Sequence, residues 1–223
     1  MYDSQFPYPE LDAEHPNGIR DLVDLRSTPL SIDIETTRVE DFKNLKGVTA
    51  NVIVVWDCSE HQRKIDCGSD KKWVFVKDEA THLPDVLPMS AFRSHLVKWL
   101  RMGRVLGGQN ILGFDFPVLM NDESLNVKDV LQAFIDCRQI VDTSKYISDR
   151  YGFRVSLKYM AAGCIGGEKL MEGANAPIEW ENGNYQEVVD YCIMDTILWS
   201  DIHTFGVENG YVDIGGPKLA VDW

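Results

Sequence analysis

The chain has no run of about 18 uninterrupted apolar residues, so it offers no membrane-spanning helix. It has no C-x-x-C pair. Cys58, Cys67, Cys137, Cys164 and Cys192 are scattered and odd in number, which argues against a zinc site and a disulfide framework. Reduced thiols behaving as small hydrophobes are the expectation. Residues 1–17 lack the basic start and apolar core of a secretory leader, carrying Asp3, Glu10, Asp12, Glu14 and prolines instead. Cytoplasmic residence follows as the default. EF-hand spacing, a P-loop and a Ser-His-Asp cue are also missing. Basic charge is the scarcest commodity: 22 Lys and Arg stand against 35 Asp and Glu, a net charge of −13. Proteins that wrap duplex nucleic acid present a basic face, so this balance counts against a tight duplex binder. It leaves room for an enzyme whose metal ions supply positive charge at one strand end.

What remains is a chain of 223 residues with 44% hydrophobic residues, enough for one well-cored domain. Residues 1–27 are rich in Pro, Asp and Asn and read as an irregular arm; 28–223 read as a single domain without repeats or linkers. The alternation of apolar and polar residues over 30–35 predicts a half-buried strand. The β-branched run over 49–56 predicts a central strand, with shorter ones over 63–67, 72–76 and 104–108. Ser90 is placed to cap a helix over 90–101, stopped at Gly103, and another helix is expected to start at Pro117. Helical spacing predominates from Val127 on. Ser156 opens a short helix, Asn184 caps a long one over about 185–204, and the 206–223 tail reads as irregular with a possible edge strand. Strands early and helices late imply an α/β fold, a central mixed sheet flanked by helices.

Four acids sit in contexts that need explaining. Asp33 and Glu35 are two apart on one strand, so both carboxylates point the same way. Two like charges side by side on a buried strand are costly unless cations neutralise them, and the matching cation is hard and divalent. A solvated edge face is the plainer explanation. Asp115 follows a Gly- and Asn-containing turn, 108–114, that lets backbone approach a ligand; it equally suits a helix cap. Asp195 lies four residues after Tyr191, on the same helical face, a spacing that ordinary surface neighbours share. Asp190 reads as solvated helix surface.

Together these segments resemble the DEDD superfamily of 3′→5′ exonucleases, which have a ribonuclease H-like fold. The first motif appears as Asp33-Ile34-Glu35-Thr36, the second as Asn110-Ile111-Leu112-Gly113-Phe114-Asp115, the third as Tyr191-Cys192-Ile193-Met194-Asp195. Val141-Asp142-Thr143 and the segment opening at Ser156 are similar to the family's connecting helices. Each motif is degenerate, but their order along 29–203 is specific. Tyr191, rather than a His, before the last Asp matches the tyrosine (DEDDy) branch, which includes polymerase proofreading domains and ribonuclease D-like trimmers.

The resemblance implies that Asp33, Glu35, Asp115 and Asp195 hold two divalent cations, Mg²⁺ or Mn²⁺, and that Tyr191 orients the attacking water. The implied activity is release of nucleoside 5′-monophosphates from the 3′ end of a single-stranded nucleic acid. Thr36, Asn110 and Phe114 are the implied substrate contacts, Phe114 by stacking if it is not a core aromatic. A degenerate exonuclease-like binding module acting with a polymerase or helicase, an RNA-trimming enzyme, and an endonuclease of related fold are the competing readings. The sequence does not choose between deoxyribose and ribose.

Overall fold

The computed structural model describes residues 28–57, 71–167 and 173–223. The arm over 1–27 and the strand expected over 63–67 lie outside the described residues.

Among the described residues, one mixed sheet is built from β1 (Leu30–Thr36), β2 (Ala50–Asp57), β3 (Lys71–Val76), β4 (Leu87–Pro88), β5 (Leu106–Gly108) and β6 (Ile140–Asp142). Their order is β4-β3-β2-β1-β5-β6. Only β2 runs against the others: it pairs antiparallel with β1 and β3, while β1–β5, β5–β6 and β3–β4 are parallel. Every residue of β2 is buried, as its Val/Ile-rich run predicts for a strand covered on both faces.

The pleat sorts these strands into two cores. Leu30, Ile32 and Ile34 of β1 join Ile53 and Val55 of β2 on one face. That face is covered by α1 (Phe92–Arg101), α2 (Asp115–Asn121) and α3 (Lys128–Asp136), through Phe92, Leu96, Trp99, Phe116, Leu119, Leu131 and Phe134. Val52, Val54, Val74 and Val76 face the other way, onto α6 (Ala176–Glu181) and α7 (Tyr185–Asn209). Between β6 and α6 lie α4 (Thr143–Tyr151) and α5 (Leu157–Ile165). A third core joins Ile147, Leu157 and Met160 of these helices to Leu198, Trp199 and Ile202 of α7. Each such side chain removed from water contributes roughly 1.5–3 kcal/mol, so α7 is anchored along most of its length.

Several local expectations need correction. Ser90 sits in a 3₁₀ turn over Met89–Ala91 and makes no capping bond; α1 begins at Phe92 with Ala91 at its N-cap. The helix expected at Pro117 starts two residues earlier, because Asp115 is already its first residue. Ile140–Asp142 is a strand rather than part of a connecting helix, drawn extended by pairing with Leu106–Gly108. Asn184 holds the N-cap position of α7, but its side chain donates to Glu179 instead of capping. That helix also runs to Asn209, ending where Gly210 takes a left-handed φ of 72°. The tail forms a separate antiparallel pair, β7 (Tyr211–Asp213) and β8 (Lys218–Ala220), instead of an edge strand on the main sheet. No helix among the described residues is long and apolar enough to cross a membrane.

Candidate metal centre

The odd-numbered residues of β1 face α7, and two contacts fix how they meet. Ser31 Oγ donates to the Thr196 carbonyl at 2.8 Å in a fully buried bond. Cys192 Sγ lies 3.5 Å from the Asp33 carbonyl oxygen and 3.6 Å from Asp33 Oδ2. Two steps forward on the strand thus match four steps back on the helix, so α7 runs opposite to β1. Its 191–195 turn lies over the carboxyl half of the strand. The Cys192 sulfur and carboxylate oxygens of Asp33 and Glu35 all lie within 4.8 Å of one another. Tyr191 and Asp195, 2% and 4% exposed, complete this turn and are hydrogen-bonded to each other.

Asp115 arrives from the opposite side. Pairing between β1 and β5 is limited to Leu30↔Leu106 and Ser31↔Gly107. Beyond it the strands part, and the Ile34 N–H is left to donate to the Asp115 carboxylate. The crevice outside the carboxyl ends of diverging parallel strands is where open α/β sheets bind ligands. The turn that delivers Asp115 is built by backbone bonds. Asn110, at φ 63°, accepts the N–H groups of Gly113 and Phe114 on its carbonyl. Asp142 accepts the N–H groups of Asn110 at 3.0 Å, Leu112 at 2.9 Å and Lys145 at 2.9 Å, tying the turn to the start of α4. At Gly108 a Cβ would stand 2.4 Å from Ile111 Cγ2 and 2.6 Å from the Ile32 carbonyl, so only glycine lets β5 turn here.

The electrostatics join these groups into one unit. Burial, followed by the Asp33 charge, pushes the Asp115 carboxyl well above its ordinary range. Burial, then Asp195, Glu35 and Asp33, push the Tyr191 phenol up, and Cys192 rises through burial and then Asp33, Glu35 and Asp195. The Tyr191 hydroxyl donates to the Asp195 carboxylate. Carboxylates from β1 and α7 raise the proton affinity of Tyr191 and Cys192, and Asp33 raises that of Asp115, which marks a strongly negative spot. Hard oxygen donors in that arrangement fit Mg²⁺ or Mn²⁺.

The remaining sequence candidates fall around this centre with different engagements. Thr36 is buried, and its hydroxyl donates to the Thr37 carbonyl at 2.9 Å. Asn110 is half-buried, its Oδ1 packed against Gly113. Phe114 is half-buried against the first core, with its ring 6.0 Å from that of Phe42, which is 73% exposed. Asp190 is exposed, as its sequence context suggests. His203 has no part in the centre: it stacks on Trp199 at 5.1 Å, and burial lowers its pKa to about 4.

Two residues at or near the site escaped sequence reasoning. Cys192, within the third motif but expected to behave as a small hydrophobe, stands three residues before Asp195 and so on the face that meets β1. Asp142, directly before a helix, is in a position that favours a capping Asp, but its bonds to the turn of Asp115 have no local signature in the sequence. The sequence matches no family model, and no curated protein matches it.

Proposed function

We propose that this protein is a cytoplasmic, metal-dependent 3′→5′ exonuclease of the DEDD type, tyrosine branch, with a ribonuclease H-like fold. It hydrolyses the terminal phosphodiester bond of single-stranded DNA or RNA and releases nucleoside 5′-monophosphates. The supporting observations are the Asp33 and Glu35 carboxylates within 4.8 Å of each other on β1, the charge of Asp33 acting on Asp115, and Tyr191 bonded to Asp195 on the facing turn of α7. The mixed sheet flanked by helices is consistent with the proposed fold.

The four carboxylates hold two divalent cations, Mg²⁺ or Mn²⁺. Such ions, held by these carboxylates, would supply a water activated near neutral pH and positive charge opposite the scissile phosphate and leaving oxygen. Tyr191, its hydroxyl bonded to Asp195 and turned toward the acids, would orient the attacking water. The Ile34 N–H fixes Asp115, and Asp142 fixes the turn before it. Phe42 and Phe114 offer adjacent aromatic faces beside Asp115 on which an unpaired terminal base stacks.

The net charge of −13 favours a second reading in one respect. A chain with so little basic surface grips few nucleotides, and a polymerase or helicase partner would then present the strand end. The deciding experiment uses 5′-labelled DNA and RNA strands, linear and circular, with Mn²⁺ or EDTA. A Mn²⁺-dependent ladder shortening from the 3′ end, absent on circles and in Asp33→Ala, is the expected result. Cleaved circles would replace the proposal with an endonuclease, and intact strands throughout would favour the binding module. The faster linear substrate identifies the preferred sugar.

A further inference from the structure

The centre holds one donor that Mg²⁺ chemistry does not use. Cys192 is fully buried on the face of α7 that meets β1, and its sulfur lies within 4.8 Å of carboxylate oxygens of both Asp33 and Glu35. An ion bonded to sulfur at about 2.3 Å and to oxygen at about 2.0–2.2 Å holds such donors no more than about 4.5 Å apart. The three atoms therefore already stand close to the spacing of one coordination sphere. The other described cysteines have different surroundings: Cys137 is exposed after α3, and Cys164 is bonded to the main chain of Asp213.

We infer that Cys192 belongs to the ion-binding centre and lets it take a thiophilic divalent cation, Cd²⁺ or Zn²⁺, through one thiolate and the Asp33 and Glu35 carboxylates. This inference rests on the ion-binding half of the proposed function and not on nuclease activity. Hard ions leave the thiol protonated and hydrogen-bonded to Asp33, because magnesium and manganese prefer oxygen. A soft ion forms a metal–sulfur bond, the S–H bond breaks, and the proton passes to solvent; no electron is transferred. The centre then binds competing ions of two classes, and the soft class occupies it at the expense of the hard one.

The test is a Cd²⁺ titration followed by the ultraviolet thiolate-to-metal charge-transfer absorption, which needs no substrate. It uses the full chain with Cys58, Cys67, Cys137 and Cys164 changed to Ser, so that Cys192 is the only thiol. The expected result is a band saturating at one ion per chain, suppressed by excess Mn²⁺. In the same background the band is expected to weaken at least about tenfold in apparent affinity on Asp33→Asn. Wild-type chain carrying only Cys192→Ser supplies the converse measurement, a loss of one thiolate's absorbance, should the four-serine chain melt early. No band from Cys192, or a band indifferent to both Mn²⁺ and Asp33→Asn, would overturn the inference. A positive band with no strand trimming would leave it standing while the exonuclease reading fell.

Discussion

Two buried charged clusters sit in this domain and solve the same problem differently. Where β2 ends, Asp57 and Arg104 form a bidentate pair with contacts of 2.8 and 2.9 Å, their side chains 7% and 5% exposed. Opposite charges there neutralise each other within the fold. At the carboxyl end of β1 like charges gather instead: Asp33 raises the proton affinity of Asp115, and Asp33, Glu35 and Asp195 raise that of Tyr191. Charge that the chain balances internally is costly to unpair, while like charge gathered from distant segments is a candidate for a ligand, the reading proposed above.

The comparison is sharpest at the paired cluster. Asp57→Ala leaves the Arg104 guanidinium buried without its carboxylate, and a loss of about 3–5 kcal/mol is expected in urea unfolding. A smaller loss would mean that solvent reaches the guanidinium and that the two clusters differ less than their burial suggests.

A third buried titratable group meets the same constraint by staying neutral. His203, stacked between Trp199 and Trp223, has its pKa lowered by burial to about 4 from 6.5. The unfolded chain therefore binds this proton more readily. The contribution is fully present above pH 6.5 and is lost as pH falls toward 4, amounting to about 3 kcal/mol. Unfolding curves of wild type and His203→Gln across that window test it: the wild type's steeper decline should flatten in the variant.

Within the acid cluster, Tyr191→Phe removes the hydroxyl but none of the carboxylates. Trimming is expected to slow by about a hundredfold while Mn²⁺ affinity holds. Equal loss of both would make Tyr191 a support for Asp195 instead of an orienting group. The smallest effect has the opposite sign to that at Asp57. Asp115→Asn removes a buried carboxyl whose ionisation the fold opposes while keeping an acceptor for the Ile34 N–H, and is expected to stabilise the metal-free protein by about 1 kcal/mol.

Legibility in the sequence followed the range of the interactions. The period-two pattern of β1 and the four-residue step from Tyr191 to Asp195 are local, and both were visible. Ile140–Asp142 was not, because three residues carry no period and their extended form comes from pairing with β5. The start of α2 was misplaced because the turn before it is closed by Asp142, about thirty residues away in sequence, a bond without local signature. Whereas Cys137 is exposed, Cys192 is buried, as a small hydrophobe is expected to be. Its neighbourhood with Asp33 depends on how α7 crosses β1, a contact 159 residues apart in the chain.

The central claim is that Asp33, Glu35, Asp115 and Asp195 act as one ion-binding unit although they come from three segments. Thermal melting of wild type and Asp115→Asn, each with EDTA and with Mn²⁺ at about a hundred times its Kd for the wild type, tests this most directly. Mn²⁺ is expected to raise the wild-type Tm by about 5 °C or more and to leave the variant, already more stable without metal, nearly unmoved. An equal rise in both proteins would place the ion elsewhere, and no rise in the wild type would contradict a metal centre altogether.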